Sequence, residues 1–271
     1  SLALAAFGEA VNETRGFVSN PACIIGIRYW EFTTSTYSAA SSSGFVFQGL
    51  AFGKRFLENE AVALQYSPGS LLEFVVPSGL TITTGDSVIS LDQKVSYSEV
   101  FSFGFAHKFS DILSVGLGGR VRTEKVTDTQ YRIIPRVEID TKDYSSTGVL
   151  ADLGIMWRPL SYLSLSVTGR NLLSFTGSEL PSDFKYFSLP EKRIAEFAAR
   201  YELNPQCSIV GMSSTKGYGA LGYELLIPAW SFGFRNSLYF NKAESPFAYA
   251  FSVGAGWRYE FLELDVSYLR F

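Results

Sequence analysis

The chain has 271 residues, of which 15% are aromatic and only 18% are charged, a balance that argues against a soluble helical enzyme. A net charge of -3 supplies no positive field for nucleic acid, and one histidine with two distant cysteines excludes histidine-rich metal sites and disulfide scaffolds. No apolar run approaches the roughly 20 residues of a membrane-spanning helix. We therefore predict no nucleic-acid partner, no metal and no cofactor. Whether Cys23 and Cys207 pair or stay free is left open.

From residue 24 onward, segments of about ten residues alternate apolar side chains with small or polar ones, which is the period of a β-strand. In the clearest segment, Phe101, Phe103 and Phe105 share one face, and serine, glycine and alanine share the other. The pattern predicts thirteen strands, over residues 24–33, 45–56, 61–66, 94–109, 113–122, 148–157, 163–170, 194–203, 206–213, 219–227, 230–240, 247–258 and 262–268.

The connections between these strands also alternate in length. Short ones lie at 108–111, 158–161, 204–205, 228–229 and 259–261, and longer ones at 34–44, 67–93, 125–147, 172–191, 214–217 and 241–246. Short turns at one end and long loops at the other are typical of a transmembrane β-barrel. Residues 71–76, an apolar stretch inside a long loop, predict a cover for a partner, a fold back over the barrel mouth, or a β-hairpin extension.

A soluble β-sandwich would also alternate, but its outward face needs charge. Here the polar face is mostly serine, glycine and alanine, which suits a crowded interior, so we expect the aromatic face to contact lipid. The residues expected to form interfacial girdles are Trp30, Trp157, Trp230, Trp257 and Tyr259. The predicted fold class is all-β, a transmembrane antiparallel β-barrel of about 14 strands (range 12–14) in the bacterial outer membrane. An even strand number would require one further strand, within 67–93 or after residue 271.

Charged residues recur on the small-residue face, where we expect them to point into the lumen. They are Arg120, Arg122, Asp152, Arg158, Arg170, Glu196, Arg200, Glu224, Arg235, Arg258, Glu263 and Asp265. One interpretation is a salt-bridged ladder that neutralises buried charge and holds strands in register; the other is a polar constriction that selects solutes. The ladder is favoured because neutralisation requires both signs, whereas selective rings tend toward one.

Two further features bear on function. His107 lies on the aromatic face beside Phe105 and Phe109, a position that suits an interfacial side chain better than a general base, so no catalytic residue is predicted. The strings Gly116-Leu-Gly118 and Gly254-Ala-Gly256 lie within strands and lack the following helix of a phosphate loop. They indicate places where neighbouring strands or an N-terminal segment approach closely.

Residues 6–22 have the sequence AFGEAVNETRGFVSNPA. This segment resembles the N-terminal opening of FadL-type outer-membrane barrels, the long-chain fatty-acid channel superfamily. The branch that contains the PorV-like barrels of type IX secretion is the most similar. Residues 148–154 and 167–171 look like that branch's paired strands, which end in an Asn turn, and residues 222–224 and 264–268 resemble its late strands. The chain departs from the family in placing Cys23, rather than glycine, after Asn-Pro-Ala, and in being shorter than typical members.

This resemblance implies a fourteen-stranded barrel over residues 23–271 and an N-terminal hatch over residues 1–22 that includes Asn20, Pro21 and Ala22. The alternative for the hatch is a flexible tail ending in a turn. The resemblance also implies passive passage of small hydrophobic solutes across the outer membrane. The alternative is a non-transporting barrel subunit whose long loops dock a protein partner in a secretion or cell-surface assembly.

Overall fold

The computed structural model describes residues 19–37, 46–68, 72–77, 88–132, 138–176, 193–241, 248–259 and 262–270. The strands are β1 (Trp30–Tyr37), β2 (Val46–Leu57), β3 (Glu60–Tyr66), β4 (Leu72–Pro77), β5 (Val88–Ser110), β6 (Leu113–Arg132), β7 (Glu138–Leu160), β8 (Leu163–Thr176), β9 (Ile194–Asn204), β10 (Cys207–Ser214), β11 (Tyr218–Ile227), β12 (Phe232–Asn241), β13 (Ala248–Tyr259) and β14 (Leu262–Arg270). Two 3-10 helices cover Pro21–Gly26, which we name the inner helix, and Pro228–Trp230. In these ranges no helix has the length and apolar character needed to cross a membrane.

All strands belong to one 14-stranded antiparallel sheet with the order β1-β2-β3-β5-β6-β7-β8-β9-β10-β11-β12-β13-β14. β4 pairs with β5 beyond the end of β3, so it continues the line of β3 along the same neighbour. The prediction of an all-β antiparallel fold of about 14 strands is confirmed. β1 and β14 are the edges of the sheet, and no pairing joins them among the residues that the structure describes.

The two faces of the sheet differ as the alternation predicts. On β5, Phe101, Phe103 and Phe105 are 54%, 52% and 36% exposed, whereas Ser102 and Ala106 are 4% and 0% exposed. The inner helix lies on the small-residue face, which we call the inner face, and the aromatic side is the outer face. Apolar surface this extensive is costly in water and favourable in hydrocarbon.

The first predicted strand, over 24–33, is wrong at its beginning, because β1 begins only at Trp30. Asn20 caps a helical turn instead, its side chain accepting a hydrogen bond from the Ala22 N–H at 2.9 Å. Pro21 occupies the start of that turn, where its fixed φ and missing donor are tolerated. The apolar residues that follow are buried by the wall around the helix and not by a strand face.

The long predicted loops 67–93 and 125–147 are also wrong, since both contain long stretches of strand. β4 and the beginning of β5 lie in the first, and β6 and β7 extend through most of the second. β5, β6 and β7 have 23, 20 and 23 residues, about twice the 9–11 that cross a bilayer. The distal halves of β6 and β7 are rich in Thr, Lys and Asp, so their apolar alternation ends before their backbone pairing does. For residues 71–76, the β-hairpin extension is the correct alternative.

Candidate functional site

The inner helix lies against the inner faces of β3, β5, β6 and β7. Ile24 and Ile27 are 0% exposed and Ile25 is 9% exposed. The wall residues that pack around these isoleucines are Ala61, Ala63 and Ala106. Burying an isoleucine side chain stabilises the docked helix by about 1.5–3 kcal/mol. Alanine on the wall leaves the room that these larger side chains fill.

Glycines on β6 and β7 bring the backbone of the inner helix into direct contact with the wall. A Cβ on Gly116 would lie 2.3 Å from the carbonyl carbon of Pro21, and a Cβ on Gly154 would lie 2.0 Å from Oδ1 of Asn20. Neither contact is possible for a larger residue, so both glycines are needed for this seat. The close approach predicted at Gly116 is confirmed. Gly154 was missed, because a lone glycine on a small-residue face carries little signal.

Asn20 is fully buried and ties the inner helix to the wall. Its Nδ2 donates to the Ile155 carbonyl oxygen at 3.3 Å, while its Oδ1 accepts from Ala22. The structure thus brings the predicted hatch residues Asn20, Pro21 and Ala22 together on β6 and β7. Cys23 is buried against Met156, and neither cysteine of the chain forms a disulfide. Residues 1–18 of the predicted hatch lie outside the described residues.

Beside the inner helix, Arg120 on β6 and Asp152 on β7 form a buried ion pair. The Arg120 Nε and Nη2 atoms donate to the two Asp152 carboxylate oxygens at 2.8 and 3.0 Å. Arg120 also donates to Asn171 Oδ1 at 2.6 Å, and the Asn171 N–H donates to Asp152 at 2.8 Å. Asn171 has a φ of 55°, and it lies at a bulge within β8. The expected strand end at Asn171 is therefore wrong, since β8 continues to Thr176.

A second ionic group links β8, β9 and β11. Glu196 is 2% exposed, and its Oε2 accepts from Arg170 Nε at 2.5 Å. The Tyr218 hydroxyl donates to the other carboxylate oxygen. A nearly inaccessible carboxylate needs such donors, because an uncompensated buried charge costs several kcal/mol. Sequence analysis placed both charges on the inner face and gave no indication of the tyrosine.

A third group is centred on Glu224 of β11. Its Oε1 accepts from Arg235 Nε on β12 at 2.7 Å, and its Oε2 receives Arg200 Nη2 from β9 at 2.8 Å. Ser208 on β10 donates to the same carboxylate at 3.3 Å. One carboxylate thus links four consecutive strands across the inner face. These three groups have the geometry of the salt-bridged ladder rather than of a ring of one sign.

The other predicted lumen residues lie on β6, β7, β13 and β14. Arg122 is half-buried on β6, and Arg158 is half-buried at the short-turn end of β7, where its Nη2 donates to Met156 Sδ at 3.4 Å. In β13 and β14, the backbone of Arg258 pairs with that of Glu263. The side chains of Arg258, Glu263 and Asp265 lie outside the described residues.

The inner face therefore has two parts. Its apolar part, over β3 to β7, is covered by the inner helix, and its ionic part, over β8 to β12, carries the Glu196 and Glu224 groups. The Arg120–Asp152 pair marks the boundary, since a Cβ on Gly118 would lie 3.6 Å from both Asp152 and Pro21. The ionic part also contains a buried apolar cluster on β9 to β11, formed by Ala198, Val210, Met212 and Ala220. The apolar surface that the inner helix contacts is the one on β3 to β7. Within the described ranges, no cluster of His, Cys, Asp and Glu is arranged to hold a metal.

His107, the single histidine, lies on the outer face near the β5–β6 turn. Its Nδ1 is 3.4 Å from Glu60 Oε1, and its ring stacks edge-on with Phe109 at 4.7 Å between centroids. The sheet separates it from every group of the inner face. Its environment, a carboxylate and an aromatic ring on the outer face, is that of an interfacial side chain.

No family profile and no curated protein matches the chain. Solved structures match it, at low identity and high coverage. A FadL homologue from Pseudomonas aeruginosa has 12% identity and a TM-score of 0.63, over 98% of this chain and 87% of that one. The CymD monoaromatic hydrocarbon channel has 11% identity and a TM-score of 0.63, over 96% and 89%. The toluene transporter TbuX from Ralstonia pickettii has 11% identity and a TM-score of 0.58, over 92% and 86%.

Proteins this distant in sequence share a fold, and the expected FadL-type architecture is confirmed at that level. None of the three is described as a component of a secretion or surface assembly, so the comparisons lend that alternative no specific support.

Proposed function

We propose that this chain, which has the fold of FadL-type outer-membrane β-barrels, lies in the bacterial outer membrane and lets small hydrophobic solutes cross passively. Residues 20–27, the inner helix with its two flanks, are the gate. The observation that carries this proposal is the contact of Ile24, Ile25 and Ile27 with the alanines of β3 and β5. A solute that replaced these isoleucines would find the same apolar surface.

The outer face supports the membrane part of the proposal. Trp30, Trp157 and Trp257 are 67%, 46% and 40% exposed, and each lies within a few residues of the short-turn end of its strand. A row of exposed tryptophans at one level of a barrel is typical of the membrane interface. The long-loop ends of β5 to β7 would then extend outside the cell.

Beyond the apolar part of the inner face, the strand that pairs with β5 changes from β3 to β4. The pairing of β5 with β3 ends at Phe101, and its pairing with β4 begins at Tyr97. Between these two stretches of β5, the Val100 carbonyl oxygen accepts a hydrogen bond from the Ser67 N–H at 2.9 Å. Ser67 follows Ala63 by four residues, about 13 Å along the strand. We place a side exit for the solute here. Because β3 ends and β4 begins at this point, the two strands can move apart without disrupting a continuous ladder of hydrogen bonds. A solute would reach it without crossing the ionic part.

The chemistry of the solute follows from the same surface. The isoleucines pack against alanine methyl groups, so an uncharged hydrocarbon is a better occupant of their place than an ion. The CymD and TbuX neighbours are described as a monoaromatic hydrocarbon channel and a toluene transporter, which supports the same class. We therefore propose small uncharged hydrocarbons as the solutes.

A disulfide lock tests the gate. Cys23 packs against Met156, so Met156→Cys in a Cys207→Ser background would join the inner helix to β7. We expect the oxidised variant to lose uptake of labelled toluene by cells, and a reductant to restore it. The matched control carries Met156→Cys with Cys23→Ser, which has no thiol on the inner helix and is expected to transport in both redox states.

Uptake that stays unchanged after the disulfide is verified by mass spectrometry would overturn the gate. Uptake by wild-type cells no faster than by cells without the protein would reject the channel itself. In that event the docking alternative would need a partner that co-purifies with the long strands of β5 to β7.

A further inference from the structure

Near the short turns, the inner face of β7, β8 and β9 carries hydrogen-bond donors that lack good acceptors. Ser166 Oγ and Arg200 Nε are buried and have no hydrogen-bond partner in the described part of the chain. Ser166 is 4% exposed. On β7, Arg158 Nη2 donates to the Met156 sulfur at 3.4 Å, its only acceptor among the described residues. A thioether is a weak acceptor, so the Arg158 guanidinium keeps most of its capacity to donate.

The strand register brings these donors to one place. Met156 on β7 pairs with Ser166 on β8, which pairs in turn with Ala198 on β9. Arg158 and Arg200 come two residues after Met156 and Ala198, which is one repeat nearer the short turns on each strand. Neighbouring strands are about 5 Å apart, so the backbones of the two arginines are about 10 Å apart with β8 between them. Two arginine side chains can meet across that distance above the small side chain of Ser166.

Positive charge exceeds negative charge in this group. Arg158 is close enough to Arg200 for the two guanidinium groups to repel each other. Arg200 Nη2 is 2.8 Å from Glu224 Oε2, but this carboxylate is shared with Arg235. Glu202 Oε1 is 3.7 Å from Arg200 Nε, which is beyond hydrogen-bond distance. Three arginines therefore face two glutamates, and a partly buried positive charge that is not compensated is costly.

We propose that Arg158, Ser166 and Arg200 bind one halide ion, such as chloride, on the inner face. The ion accepts hydrogen bonds from the Ser166 hydroxyl, from Arg200 Nε and from the Arg158 guanidinium. It must be small, because Ser166 Oγ and Arg200 Nε are both inaccessible to solvent. Water would satisfy the same donors but would leave the excess positive charge in place. The site lies on the ionic part of the inner face, so it depends neither on the proposed solute path nor on transport.

The chloride dependence of thermal unfolding, measured in detergent micelles, tests this site. Chloride is exchanged for gluconate at constant ionic strength, because gluconate is too large to reach the buried donors while general screening stays the same. We expect the unfolding midpoint of the wild type to rise by about 3–5 °C as chloride increases from zero to ten times its dissociation constant.

Three variants locate the effect. Ser166→Ala removes one hydrogen bond to the ion and should weaken chloride binding about 10-fold. Arg158→Met keeps an unbranched side chain without charge, and the rise of the midpoint with chloride should disappear. The matched control is Thr168→Val, which removes another buried hydroxyl without a described partner on the same face of β8. Thr168 pairs with Glu196, farther from the two arginines, so its variant should keep the chloride dependence of the wild type.

Equal midpoints of the wild type in chloride and gluconate would overturn the site and leave water as the partner of these donors. A chloride effect of the same size in Ser166→Ala, Thr168→Val and the wild type would indicate an adventitious ion only, and would also overturn it. Ser166→Ala removes a single atom, so this comparison decides the question even if Arg158→Met does not fold. Toluene uptake does not enter the measurement, so failure of the proposed function would leave its result unchanged.

Discussion

The close contact between the inner helix and Gly116 predicts the effect of Gly116→Ala. The added methyl would lie 2.3 Å from the Pro21 carbonyl carbon and 2.4 Å from the Ala22 nitrogen, both backbone atoms that cannot rotate away. Overpacking of this kind costs about 1–3 kcal/mol, and here it is relieved only when the inner helix moves off the wall. The substitution should therefore raise the population of the undocked helix by about 5- to 150-fold.

Cys23 reports this population, since it is 0% exposed while the helix is docked. In a Cys207→Ser background, the rate at which a charged thiol reagent labels Cys23 is expected to rise by the same factor in Gly116→Ala. Gly118→Ala is the matched control, because its methyl lies in ordinary contact, 3.6 Å from Pro21 and Asp152. Replacing glycine by alanine raises the strand propensity in both variants, so this effect cancels when Gly118→Ala is compared with Gly116→Ala. If both variants are folded and Cys23 is labelled at equal rates in them, the inner helix does not pack on Gly116 as described.

Three further outcomes are expected. Asp152→Asn leaves Arg120 without its carboxylate and should lower the free energy of unfolding by about 3–5 kcal/mol, measured in urea; a change below about 1 kcal/mol would show that the pair is dispensable. Thr168→Val should raise the free energy of unfolding by about 1–3 kcal/mol, because the Thr168 hydroxyl is buried and has no hydrogen-bond partner among the residues that the structure describes; a loss of stability would mean that this hydroxyl has one. Asp111, whose pKa is lowered by Lys108, stabilises the fold fully above its unperturbed pKa of 3.8 and loses this effect as pH falls through the lowered value. The free energy of unfolding of the wild type should thus exceed that of Asp111→Asn at neutral pH, and this difference should vanish in acid. A difference that persists in strong acid would contradict the ion pair between Lys108 and Asp111.

The faces of the sheet could be predicted because a strand repeats every two residues. One apolar face per strand, Phe101 and Phe103 among them, determines which side of the sheet is the outer face and which is the inner face. The string around Gly116 pointed to a close approach for the same reason, since a residue without Cβ inside a strand marks a place where another backbone comes near.

Features that depend on pairing between distant residues could not be predicted. The distal parts of β6 and β7 lack an apolar face, so only their ladder identifies them as strands. The register that brings Arg200 of β9 to Glu224 depends on the bulge beside Cys207 in the β9–β10 ladder, and a single bulge shifts every later position. Asn171 appeared as a strand end because asparagine in a left-handed conformation usually marks a turn, whereas here Asp152 and Arg120 hold it within β8.

The length of the inner helix determines how the gate can open. A helix of 6 residues is too short to be stable alone in water, so its conformation depends on the wall that buries it. Undocking and unfolding of this segment should then be one event, driven by the loss of the isoleucine contacts and not by movement of a rigid body. A hydrocarbon that takes over the contacts of Ile24 and Ile27 with the alanine wall would displace and unfold the segment together. The rate at which Cys23 is labelled should therefore rise with toluene concentration. A labelling rate independent of toluene would show that the solute does not displace the inner helix.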